Sequence, residues 1–71
     1  MEYIAKYNVP IAIDTWPNPT IHHINANECV EVIQAKEERE IIWITITPCD
    51  EPELQLLITH KLFEFAFTPL N

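Results

Sequence analysis

Cys29-Val30-Glu31-Val32-Ile33-Gln34-Ala35, then Lys36-Glu37-Glu38-Arg39, then Glu40-Ile41-Ile42-Trp43-Ile44-Thr45-Ile46-Thr47, is the stretch whose reading decides the fold. Its second arm is almost wholly β-branched or aromatic, which suits a pleated strand and not a helix. The two arms read as a hairpin with Glu37-Glu38 at its tip. In that register Lys36 faces Arg39, Ile33 faces Ile42 and Val32 faces Trp43. One face then holds Cys29, Ile33, Ile42, Ile44 and Ile46, and the other holds Val30, Val32, Ile41 and Trp43. Both faces are apolar, so both need a cover from this chain or from a partner. A one-residue slip would exchange the two faces.

Upstream, residues 2–13 alternate with period two. Tyr3, Ala5, Tyr7, Val9, Ile11 and Ile13 form the inner side of a half-buried strand. Pro10 has no backbone N–H, which predicts an edge or a bend there. Residues 14–27 are loop-rich. Trp16-Pro17-Asn18-Pro19 is extended or turning, Ile21-His22-His23-Ile24 reads as a short strand, and Asn25-Ala26-Asn27 as a turn. A long connection in a small domain is a common place for binding.

Downstream, Pro48 to Pro52 form an acidic turn and Leu54–Thr59 read as a further strand. Residues 60–67 carry two signals. Phe63, Phe65 and Phe67 alternate as in a strand, while Leu62 with Ala66 and Phe63 with Phe67 have helical spacing. A short helical turn over 60–64, leading into a last strand, reconciles them. The expectation is a single mainly-β domain over 1–71. It is either a small SH3-like barrel or a strongly bent antiparallel sheet of four to five strands, with a short helical turn near the C-terminus. Closing a barrel would cover part of the exposed hairpin edge.

Composition bounds the function. At 71 residues the core is small. The apolar fraction of 48% is that of a folded domain. A net charge of -7, from 11 acidic and 4 basic side chains, argues against nucleic acid and anionic membrane as direct partners. It suits a basic protein surface, and it also serves solubility alone. The chain has no glycine, which excludes a phosphate-cradling glycine-rich loop. It also predicts longer, asparagine- or proline-based turns instead of two-residue hairpin turns. No signal-peptide pattern or membrane-length apolar run is present, so a cytoplasmic location with free thiols is expected.

The candidate metal ligands are His22, His23, Cys29, Cys49 and His60. They lack the close Cys-x2-Cys or His-x3-His pairs of structural zinc sites. Adjacent histidines in a strand also point to opposite faces. Catalysis by either cysteine finds no support, since Cys29 sits in an apolar strand and Cys49 beside Asp50 and Glu51, settings that disfavour a thiolate. No cofactor is expected.

The reading is therefore a small acidic non-enzymatic protein-binding module. It would be an inhibitor or accessory protein of the kind carried by phages or mobile elements, engaging a basic surface of a partner protein. Trp16, Glu37, Glu38, Asp50 and Glu51 are the candidate partner-binding residues, with Trp43 if exposed. The alternatives are a structural subunit that forms a homodimer through the 29–47 hairpin, and a zinc-stabilised module.

Overall fold

The computed structural model describes residues 1–13 and 20–70. Among the described residues, seven strands and one helix follow one another as β1 (Glu2–Ala5), β2 (Val9–Ile13), β3 (Thr20–Ile24), β4 (Cys29–Glu38), β5 (Ile41–Pro48), β6 (Leu56–Thr59), α1 (His60–Ala66) and β7 (Phe67–Pro69). Five strands make one antiparallel sheet in the order β6-β5-β4-β1-β7, and β2 pairs with β3 in a separate two-stranded sheet. The mainly-β antiparallel reading of the sequence holds.

The single strand expected over 2–13 is in fact two. The chain bends over Lys6-Tyr7 and re-enters extended geometry at Val9. β1 joins the large sheet, while β2 pairs with β3 from Val9↔Ile24 to Ile13↔Thr20. Pro10 lies in that two-stranded ribbon, consistent with a residue that cannot donate to a ladder. The Asn25-Ala26-Asn27 turn forms as expected. Asn27 takes φ 75°, a region that asparagine tolerates. The Asn27 N–H donates to Ala5 O at 2.8 Å and the Ala26 N–H to Asn8 Oδ1 at 2.8 Å, tying the turn to the end of β1 and the start of β2.

The hairpin register differs from the sequence expectation. Val30 pairs with Pro48 and Val32 with Ile46, a bulge intervenes at Ile33, and the ladder then runs from Gln34↔Thr45 to Glu38↔Ile41. The tip is the two-residue pair Arg39-Glu40, not Glu37-Glu38. Both tip residues have positive φ, 53° and 68°, the pattern of a type I′ turn. That turn matches the twist of the strands closely enough for two ordinary L-residues to occupy a region glycine would enter freely. The corrected pairing puts Val30, Val32, Ile42, Ile44 and Ile46 on the inner face. Ile41 and Trp43 lie on the outer face with Thr45 and Thr47.

The same register brings Cys29 opposite Cys49. Their Cα atoms are 5.6 Å apart and the side chains form a disulfide, within the usual span for such a bond. The Cys49 N–H donates to Cys29 O at 3.0 Å. The expectation of free thiols is thereby corrected. Twenty residues of separation look remote in the sequence, but an antiparallel hairpin returns the chain to its starting level.

α1 is longer than the expected turn. Thr59 caps it, accepting from the Leu62 N–H, and the Phe67 N–H closes it on Phe63 O. Helical spacing decides which phenylalanines go inside. Phe63 and Phe67 stack at 5.3 Å, and Tyr3 meets Phe63 edge-on at 4.7 Å. The core joins Ala5, Val9, Ile11, Ile24, Val30, Ile44, Ile46, Leu56, Ile58, Phe63, Ala66 and Phe67, so both sheets and the helix share one apolar centre. Among the described residues no helix is long and apolar enough to cross a membrane.

Candidate functional site

Burial divides the β4–β5 hairpin into a root and an arm. At the root, β1 covers β4 only over Cys29–Glu31. Val30, Ile46 and Pro48 there are fully enclosed. Beyond the bulge, every residue from Ile33 to Glu38 is exposed, and among the described residues β4 has β5 on one side and no strand on the other. Ile33, Ile41 and Ile42 are 47%, 45% and 39% exposed. The arm therefore carries apolar side chains that the described residues leave partly uncovered.

The sequence-derived candidates fall into different regions. Glu37 and Glu38 are exposed near the arm tip, on opposite faces because they are adjacent in a strand. Lys36 and Arg39 lie beside them and offset part of their charge. Trp43 is half-buried on the outer face, paired across the ladder with Lys36. With Gln34, Thr45 and Leu57 these two line a shallow depression of about 250 Å³. Asp50 and Glu51 are exposed in the turn after β5. The eight residues of β5 separate that turn from the tip, about 25 Å at strand rise. Glu37-Glu38 and Asp50-Glu51 therefore do not form one patch. Trp16 lies outside the described residues.

The structure instead gathers a different set of carboxylates at the root. Glu2 of β1 is the cross-strand partner of Glu31, and its Oε1 lies 3.5 Å from Cys29 Sγ. Glu28 precedes Cys29, and Asp50 and Glu51 follow Cys49. The Glu51 N–H donates to Pro48 O at 3.1 Å, and the Thr47 hydroxyl faces Leu54 O at 2.6 Å and Glu51 O at 3.1 Å. These bonds hold the acidic turn against the end of β5. None of these five carboxylates forms an ion pair among the described residues, where His60–Glu64 is the one ion pair. Glu2 and Glu31, directly opposite, repel at a cost of about 0.2–1 kcal/mol. In the sequence Glu28 and Glu31 group with the acidic residues of the hairpin, and Glu2 stands apart from them because it reaches the patch only through β1–β4 pairing.

A second surface was also hidden. Tyr7, expected on the inner side of a strand, and Phe65 are 50% and 64% exposed and stack on each other at 5.2 Å. With Pro10 and Leu62 they border an open cavity of about 200 Å³. The bend at Lys6-Tyr7 removes Tyr7 from the strand alternation. On α1, Phe65 stands about 200° from Phe63 around the axis and so points outward.

Comparison with family models, curated proteins and solved structures finds no match to this chain.

Proposed function

We propose that this chain is a small non-enzymatic protein-binding module that presents its acidic root to a basic surface of a partner protein. The observation that carries the reading is the placing of Glu2, Glu28, Glu31, Asp50 and Glu51 about one disulfide with, among the described residues, no cation ion-paired to them. Such a field accelerates encounter with a basic partner and rejects acidic ones. A partner lysine or arginine between Glu2 and Glu31 would also relieve their repulsion, so binding gains what folding forgoes. The proposal assigns the protein the role of an inhibitor or accessory factor in the cytoplasm, of the kind carried by phages or mobile elements.

The SH3-like barrel belongs to the same proposal. Its support is the strand order β6-β5-β4-β1-β7 with the helix joining the two edge strands. Seven helical residues span about 10 Å, whereas the edges of a flat five-stranded sheet lie about 19 Å apart. The connection therefore favours a sheet curled toward closure.

The test is capture of a partner from host lysate by the tagged protein, compared across two charge-reversed variants. Lysine at Glu28, Asp50 and Glu51 should abolish capture of a stoichiometric basic protein. Lysine at Glu37 and Glu38 should leave it in place. Loss in the second variant alone would overturn the acidic root as the binding surface.

One observation favours a second reading, self-association through the arm. The accessible surface is 5266 Å², while a compact monomer of this mass exposes about 4,600 Å². The excess of about 700 Å² approaches the roughly 800 Å² that one partner buries in a standard interface. Sedimentation of the protein at tens of micromolar decides it, and a monomer there removes the reading.

A further inference from the structure

We propose that Glu2, Cys29 and Cys49 form, once the disulfide is reduced, a seat for one thiophilic divalent cation of the zinc class. Among the described residues they are the one group of three or more ligand-type side chains whose donor atoms converge, all within 4.8 Å of one another. The seat does not depend on what the acidic root binds.

Each donor comes from a different part of the chain. Glu2 opens β1, Cys29 opens β4, and Cys49 follows β5. The backbone fixes all three. Ile4 pairs with Cys29 and Glu2 with Glu31, and the Cys49 N–H holds Cys29 O at 3.0 Å. Such a frame survives cleavage of the sulfur–sulfur bond, because the ladder hydrogen bonds on either side do not involve the sulfurs.

The distances fit the metal. In tetrahedral zinc sites Zn–S is about 2.3 Å and Zn–O about 2.0 Å, which puts the S···O edge at about 3.5 Å and the S···S edge at about 3.8 Å. Glu2 Oε1 already stands 3.5 Å from Cys29 Sγ. With Cα atoms 5.6 Å apart, the two sulfurs reach the longer edge by rotation about their Cα–Cβ bonds. Asp50, which with Glu28 and the two cysteines lines a shallow cavity of about 220 Å³, or a water molecule, supplies the fourth position. Glu28 is held elsewhere, its Oε1 accepting from the Asn25 N–H.

The chemistry balances with a small-molecule thiol as reductant. Two such thiols deliver two electrons and two protons, the Cys29–Cys49 bond breaks, and two protein thiols and one small-molecule disulfide result. Binding of the divalent cation then replaces the two thiol protons, which pass to solvent. Negative charge from Glu2, Glu28, Glu31 and Asp50 surrounds the seat and favours the cation. The histidines take no part. His22 and His23 lie on β3 and His60 on α1, and none joins the converging group.

The experiment titrates cadmium, a spectroscopic stand-in for zinc, into the full chain before and after reduction with a phosphine. Thiolate-to-metal absorbance should rise to one equivalent per chain in the reduced protein and stay absent in the oxidised one. Zinc should displace the cadmium. Cys49→Ser should abolish the band, and Glu2→Gln should weaken zinc binding about tenfold or more, while His23→Gln leaves it unchanged. No stoichiometric uptake by the reduced protein would overturn the site, and full affinity in Glu2→Gln would remove the carboxylate from it. If reduction unfolds the chain, circular dichroism keeps the proposal testable: one equivalent of zinc should restore the sheet signal, and failure to do so overturns the proposal.

Discussion

The root and the arm of the β4–β5 hairpin are built from similar residues and have opposite fates. Val30, Ile46 and Pro48 at the root are fully enclosed, whereas Ile33, Ile41 and Ile42 in the arm remain open to solvent. β-Propensity does not separate them, since isoleucine occurs in both. What separates them is company. The root has β1 beside it, the apolar core beneath it and a disulfide across its end; in the arm, β6 flanks β5 only from Trp43 to Ile46, and among the described residues β4 beyond Glu31 has no strand on its other side. Beyond Trp43 the tip is a two-stranded ribbon, marginal in water by itself, so it inherits its order from the strands below it.

Four measurements break or sharpen this contrast. The largest effect is expected from Ile46→Ala, which empties a fully buried site and should cost about 3–4 kcal/mol in urea denaturation. Ile41→Ala in the arm should stay within about 1 kcal/mol. Equal losses at the two sites would mean that the arm is covered in solution.

Cleaving the disulfide comes next. The Cys29–Cys49 bond closes a loop with a separation of 20 residues, for which chain-entropy arguments give about 3 kcal/mol. Urea titration with and without a reductant, in metal-free buffer, reads it directly. An unchanged midpoint would show that β1–β4 pairing alone secures the root.

Glu40→Gly tests the arm from the other side. Glu40 holds φ 68° without glycine's freedom, so the substitution should stabilise the protein by about 1 kcal/mol. A loss instead would show that the arm tip has a different conformation in solution.

The smallest effect concerns charge. Glu31→Gln removes the repulsion with Glu2 and should gain up to about 0.5 kcal/mol at low salt, fading as salt rises. A salt-independent change would point to packing and not to electrostatics.

Hydrophobic alternation located most of the strands, because period-two patterning is a local property. The register of the hairpin was not local in this sense. It depends on a bulge at Ile33 and a two-residue turn at Arg39-Glu40, and the absence of glycine argued against that turn. The expected register was off by three residues at the root and by four beyond the bulge, which put Cys29 and Ile33 on the wrong face. It also hid the facing of Cys29 and Cys49. Of the expected partner-binding residues, Asp50 and Glu51 do join a carboxylate cluster, but its other members come from β1 and the start of β4.

What the chain determined by itself is its class: a small, acidic, mainly-β domain with a short helix before its last strand. Those features follow from composition and from patterns a few residues long. Only the tertiary structure decided that Tyr7 and Phe65 stack outside, that the tip and the acidic turn lie at opposite ends of β5, and that Glu2 meets Cys29 and Cys49. Each of these joins residues distant in sequence or turns on where a strand stops. Such outcomes depend on the whole core finding a single register, which no short stretch of sequence encodes.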